Sequence, residues 1–272
     1  MKLSVIIVNH NLSDLLRQAV NAIITALNTE FELIVVDNAS TDNSVEMLVA
    51  EFPQVRVIEN STNYGMAKAY NEAIQVSKGE YVLLVNADTI SGKETLKRVV
   101  DFMDINTLAA GVGVRMLSPQ GTFLQESNRG LTRQWVAFLK LMGFGKNLTK
   151  TRLNNRNHKA WVEEFQTSEV DIINGAFMVL RRSVLNDVGL FDERFVQYGY
   201  DIDLCYRIKL AGYKNYYFPK TYVINLKVGE NAKLSWQYIK HFYGAMFIFA
   251  AKYMFRMPEI KMRGIPQLYP DL

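Results

Sequence analysis

Four runs punctuate the first third of the chain: LSVIIVN (3–9), FELIVVD (31–37), VRVIEN (55–60) and YVLLVNAD (81–88). Most are continuously apolar, and each stops on an amide or a carboxylate. An apolar run this short, without alternation, is a strand buried on both faces. Between the runs lie helical stripes. Leu15, Leu16, Ala19, Val20, Ile23, Ile24 and Leu27 share one face behind Ser13 as N-cap. Val45, Leu48, Val49 and Phe52 form a second, behind Asn43 and Glu46 at capping-box spacing. Met66, Ala67, Tyr70, Ala73 and Ile74 form a third. Doubly buried strands need helices on both sides, so this alternation predicts an α/β fold with a parallel sheet.

After Ala109 the pattern changes. The sequence predicts a hairpin around Pro119–Gly121, a helix over 131–144, a strand over 170–182 and a helix over 201–212. Two short strands (YKNYYFP, TYVIN) and a mostly apolar helix from about Ser235 to Arg256 follow. With 272 residues and 49% hydrophobic content, the chain reads as one compact unit with a real core.

A net charge of +4 is mildly basic, suiting an anionic ligand or a membrane surface; nothing points to nucleic acid. The lone cysteine, Cys205, excludes an intrachain disulfide and fits a reducing compartment. LSVIIV is too short for a signal peptide, and Phe242–Ala251 is about half of the roughly 20 residues that cross a bilayer. The expectation is a cytoplasmic protein, peripheral at most.

In open parallel sheets, ligands bind beyond the carboxyl ends of the strands. Here those ends carry Asn9, His10 and Asn11; Asp37 and Asn38; Asn60 and Asn63; Asn86 and Asp88. A lone Asn or Asp there is usually a cap or turn, but four such endings on one edge mark a site. No dinucleotide fingerprint, phosphate loop or G-x-S-x-G elbow is present. His10, His158 and His241 are scattered without metal-ligand spacing. What remains is a carboxylate-and-amide site of the kind used by Mg²⁺ or Mn²⁺ with phosphate oxygens, Asp88 supplying one ligand beside Asn86.

SVIIVNHN, ELIVVDNASTDNS, ENSTNYGMAKAYNEAI and GEYVLLVNADT, in this order and spacing, resemble the family 2 inverting glycosyltransferases of the GT-A fold, and within them rhamnosyltransferase-like members. INGAFMVLRRSVLNDVGLFDERFVQYGYDIDLCYRIKLAGY resembles the family's acceptor-side segment. The likeness covers roughly 1–115 and 170–225. It implies one GT-A domain over 1–230, with a central mostly parallel sheet flanked by helices. Residues 1–115 would be its nucleotide-sugar half, 116–230 its acceptor half, and 231–272 a C-terminal helical extension.

The resemblance further implies a dTDP-, UDP- or GDP-linked sugar donor, a divalent cation, and a glycan or lipid-linked acceptor in surface polysaccharide assembly. The rhamnosyltransferase likeness leans towards dTDP. By the family's pattern, Asp37 meets the nucleobase with Val8, Asn9 and His10 alongside. Asn63 and Gly65 belong to the nucleotide loop, and Asn86, Ala87 and Asp88 form the N-x-D motif with Asp88 on the metal. Asp201 is the base, with Gly175, Tyr200 and Asp203 on the acceptor side. Without that likeness, Asp201 reads as a cap; Asp203 is assigned to capping or to orienting Asp201.

The chain departs from the pattern twice. Tyr200 stands where many relatives have Glu, and Asn225 where many have a metal-proximal His, leaving Asn225 a weak ligand. Both changes would also fit a catalytically silent nucleotide-sugar-binding paralogue. A sugar nucleotidyltransferase is disfavoured by the absence of a Gly-rich, Arg-bearing loop after the first strand. Between Glu126 and Glu163 there are eight Lys/Arg and no acidic residues, interleaved with WVAFLKLMGF (135–144). That segment fits either lipid headgroups or a packed helix with a solvated loop. The closing helix fits core packing or a homo-oligomer contact.

Overall fold

The computed structural model describes residues 1–26, 30–129, 135, 137–138, 141, 164–226 and 236–255. The first half follows the sequence closely. Strands β1 (Leu3–Asn9), β2 (Phe31–Asp37), β3 (Arg56–Glu59) and β4 (Tyr81–Asn86) alternate with helices α1 (Ser13–Ala26), α2 (Ser44–Glu51) and α3 (Met66–Val76). The strands lie parallel in the order β3-β2-β1-β4. Alternate residues feed two separate cores. Ile6, Val8, Ile34, Val36, Val82 and Leu84 face one, and Val5, Ile7, Leu33, Val35, Leu83 and Val85 the other. This is why the runs show no polar alternation.

Both expected caps are replaced by one carboxylate. Ser13 is itself helical, and its backbone N–H donates to Asp42 Oδ2 at 3.1 Å. Asn43 makes no side-chain cap bond; Asp42 Oδ1 instead accepts from the backbone N–H (3.1 Å) and hydroxyl (2.5 Å) of Ser44. On α2, Met47 is buried and Val49 is 65% exposed, so the inward face is turned from the expected one.

The second half is β5 (Thr89–Ser91), α4 (Thr95–Ile105), β6 (Ala109–Leu117), α5 (Glu126–Arg129), β7 (Ser168–Val170), β8 (Phe177–Arg181), α6 (Arg182–Val188), α7 (Tyr200–Leu210), β9 (Lys214–Asn225) and α8 (Trp236–Phe255). The sheet runs β3-β2-β1-β4-β8-β6-β9-β5, with β7 on β9. Strand β8 is antiparallel to both neighbours, so the sheet is mixed beyond β4. The expected strand over 170–182 is broken: residues 171–176 form a loop in which Asn174 Oδ1 accepts the Ala176 N–H at 2.8 Å. The two expected short strands are one, β9, with a register shift between Phe218 and Tyr222 where Pro219 can donate no ladder bond. The hairpin turn forms as expected, closed by Ser118 N–H to Thr122 O at 2.8 Å.

The helix expected over 131–144 falls mostly outside the described residues. Helix α8 packs Phe242, Ala245, Met246, Phe249 and Tyr253 into the core at helical spacing. Its outer face exposes Trp236 and Phe247. Among the described residues no helix is long and apolar enough to cross a membrane.

Candidate active site

Strand β1 pairs with β2 on one side and β4 on the other, so chain order reverses there. Asn9 lies opposite Asp37, and Val8 opposite Asn86, which brings the polar strand ends level. A cavity of ≈ 490 Å³ opens at this edge, lined by Asn9, His10, Asn38, Asn63, Asn86 and Asp88, with Val8, Gly65 and Ala87 also on its walls. A second, of ≈ 350 Å³, is lined by Gly175, Tyr200, Asp201, Trp135 and Phe242. Met66, Asn86 and Gln197 line both, so the two chambers meet at the end of β4.

Asp37 lines neither chamber. It is 3% exposed, and its oxygens accept from Asn9 Nδ2 (2.9 Å), Ser40 Oγ (2.6 Å) and Ser40 N–H (2.8 Å). It therefore positions Asn9. The Asn9 Oδ1 is buried with no hydrogen-bond partner among the described residues, an acceptor that a ligand N–H would satisfy. His10 Nδ1 lies 2.9 Å from the Asn38 carbonyl, which only accepts, so Nδ1 carries the proton. Asn38 donates to Gly65 O at 3.1 Å, and Asn63 Oδ1 accepts the Gly65 N–H at 3.0 Å. Gly65 has φ +85°, and a Cβ there would stand 2.4 Å from Val196 O. Its close backbone approach is thus to Val196, whose carbonyl takes the Met66 N–H at 2.7 Å.

Asp88 lies in the turn after β4, two residues beyond its last residue, Asn86. Its carboxylate accepts from Thr89 Oγ1 at 3.4 Å, and its carbonyl accepts the Leu226 N–H at 2.8 Å. Asn225 pairs with Thr89 across the β5–β9 ladder, so it comes beside Asp88 in the backbone but lines neither chamber. No cluster of three or more His, Cys, Asp or Glu able to hold a metal occurs among the described residues. One carboxylate with amide oxygens nearby fits a hard cation that draws its other ligands from phosphates and water.

Asp201 opens α7. Its Oδ1 accepts the Ile202 N–H at 2.9 Å and its Oδ2 the Gly175 N–H at 3.2 Å. Burial nevertheless outweighs these bonds and pushes the carboxyl up to about 6. Tyr200 packs its ring against Tyr70 (5.8 Å) and Phe191 (5.4 Å), and the Tyr70 hydroxyl donates to Asn86 Oδ1 at 3.4 Å. Among these rings a second carboxylate would be desolvated, whereas a phenol stays neutral. A Cβ on Gly175 would stand 2.6 Å from the Tyr200 hydroxyl, so glycine and tyrosine are sterically matched.

Asp203 departs from its expected role. It is fully buried, lines neither chamber, and takes Arg207 Nε (2.9 Å), Lys252 Nζ (2.6 Å) and Tyr253 OH (2.7 Å). It fastens α8 to α7; none of these bonds reaches Asp201.

Residues 4–189 match the family model for Glycosyl transferase family 2. The chain belongs to glycosyltransferase family 2. An N-acetylglucosaminyl-diphospho-decaprenol L-rhamnosyltransferase of Mycobacterium tuberculosis is 24% identical over 234 residues, covering 80% of this chain and 74% of that one. Staphylococcus aureus TarS 1–349 in complex with UDP-GlcNAc superposes with TM-score 0.63 at 21% identity, over 95% of this chain and 68% of that one. The mannosyltransferase PcManGT of Pyrobaculum calidifontis, in complex with GDP-Man and Mn²⁺, gives 0.58 at 20% identity, over 90% and 64%. The fold of this family 2 glycosyltransferase is GT-A.

Several residues of the glycosyltransferase site carried no sequence signal. Asn38 had one, as part of a strand end. Gln197 and Val196 lie in an irregular loop, and Trp135, His241 and Phe242 reach the chambers from elements distant in sequence. Only the packing of α8 on α7 could reveal the last two.

Proposed function

We propose that this family 2 glycosyltransferase moves a sugar, with inversion, from a nucleotide-diphosphate donor to a hydroxyl of a glycan or lipid-linked acceptor. The observation that carries this reading is the pair of chambers joined at Asn86, with Asp88 in the larger and Asp201 in the smaller. The donor occupies the larger chamber, its base towards Asn9, whose unpaired Oδ1 suits a ring N–H. The acceptor occupies the smaller, its hydroxyl within reach of Asp201. Asp201 takes the hydroxyl proton as the oxygen attacks the anomeric carbon from the face opposite the diphosphate, which inverts the centre. Mg²⁺ or Mn²⁺ held by Asp88 would offset the charge that develops on the departing diphosphate.

The relatives support the substrate class: one is named for rhamnosyl transfer to a lipid diphosphate, and TarS was solved with UDP-GlcNAc. We place the protein in surface polysaccharide assembly, at the cytoplasmic side of a membrane. A thermal-shift panel of dTDP-, UDP- and GDP-sugars with and without Mg²⁺ or Mn²⁺ tests this. Saturation near 100 times Kd stabilises by about 2.7 kcal/mol, a rise of several degrees. One nucleotide should stand out, with metal strengthening its shift in the wild type and not in Asp88→Ala. No shift for any nucleotide would overturn the donor site. Binding with no donor consumed by any acceptor would make the chain a silent paralogue.

A further inference from the structure

His241 and Phe242 are consecutive in α8, yet they line different chambers. His241 borders the larger with Asn86 and Asp88, and Phe242 borders the smaller with Asp201. Successive helical positions diverge by about 100°, so one edge of α8 stands at the junction of the two chambers. Gln197, which lines both, holds the histidine: its Oε1 lies 3.4 Å from His241 Nδ1. An amide oxygen only accepts, so Nδ1 donates to Gln197, and Nε2, a donor in the doubly protonated ring that an anionic ligand favours, is the nitrogen left for a ligand.

Among the described residues the larger chamber is short of positive charge. Among the described residues its lining contains no Lys or Arg, and of these residues His10 and His241 are the ones able to carry a proton as a cation. His10 sits beyond β1, tied to the Asn38 carbonyl. His241 sits on the other side, where Gln197 and Asn86 join the chambers and where the bond to the diphosphate must break. A diphosphate there needs donors that the surrounding amides supply only in part.

We propose that His241 is a diphosphate-binding residue contributed by the C-terminal helix, with Gln197 as its positioning residue. The claim rests on the donor reading of the larger chamber. It makes α8 part of the active site as well as of the core.

Calorimetric titration of the full chain decides it, using the nucleoside diphosphate that stabilises the wild type and the matching nucleoside. His241→Ala should weaken the diphosphate about tenfold, the scale of one charge-assisted hydrogen bond, and leave the nucleoside unchanged. Gln197→Ala should give a smaller loss of the same kind, and Phe247→Ala, on the outer face, none. In kinetics, kcat/KM for the donor should fall with His241→Ala. If the alanine variant fails to fold, His241→Gln must show the same selective loss. Equal affinity for the diphosphate in wild type and variant overturns the proposal, as does equal weakening of nucleoside and diphosphate, which would mean a displaced helix. A wild type that binds no nucleoside diphosphate overturns the donor reading itself and this role with it.

Discussion

Asp201 sits under two opposed influences. The first turn of α7 and the backbone N–H groups of Ile202 and Gly175 favour its ionised form, while burial disfavours it and wins. A base must be ionised to accept a proton, so the raised value moves the acid limb of activity upward from the ordinary carboxylate range. We expect kcat/KM to rise with pH through about 6 and level off above it, read from a pH–rate profile. Asp201→Asn should lower transfer by about 10²–10⁴-fold while leaving donor affinity unchanged. Retained turnover in that variant would remove Asp201 as the base.

At the scale of elements, the decisive contact is α7 on α8. Asp203 and Asp192 converge on Lys252 at 2.6 and 2.8 Å, and Tyr253 closes the cluster. Burial works against the ionised Asp192, but hydrogen bonds from Arg194 and Lys252 hold its carboxyl well below the usual range. A depressed value contributes stability that is present above the unfolded-state value near 4 and lost as pH falls below it. Lys252→Met would remove one cationic partner from each carboxylate, leaving Asp203 with Arg207 and Asp192 with Arg194, and should cost about 1.5–3 kcal/mol near neutral pH. Chemical denaturation measures it, and the deficit should shrink in acid as the carboxylates protonate. Activity should fall in the same variant, because α8 carries His241 and Phe242. A variant as stable as wild type would mean the cluster contributes nothing.

At the scale of the whole molecule, α8 has two working faces. One completes the chambers, and the other exposes Trp236 (79%), Tyr243 (47%) and Phe247 (74%) with Lys240 among them and no acidic residue in the helix. Aromatic rings flanked by positive charge suit a membrane interface, where each basic residue near an anionic surface adds about 1 kcal/mol. The protein should co-sediment with anionic vesicles at low salt and far less with zwitterionic ones, and Phe247→Ala should weaken the binding. Equal recovery in the supernatant with both lipids would exclude attachment through this face.

The sequence alone determined the first half. Doubly buried strands print as uninterrupted apolar runs, and their length and spacing set β1 to β4, their parallel sense and the polar edge where Asn9, Asn86 and Asp88 gather. It determined the family too, because those strand-end residues are local in sequence. Tertiary structure decided what depends on contacts between distant segments. Asp37 turned inward to Ser40 and Asn9, Asp42 replaced two expected caps, and Asp203 became an anchor for α8 because Lys252 and Tyr253 arrive there only after folding. The break at Asn174–Gly175 and the arrival of His241 and Phe242 have the same cause: a side chain's partners across the fold leave no periodic trace in the chain that carries it.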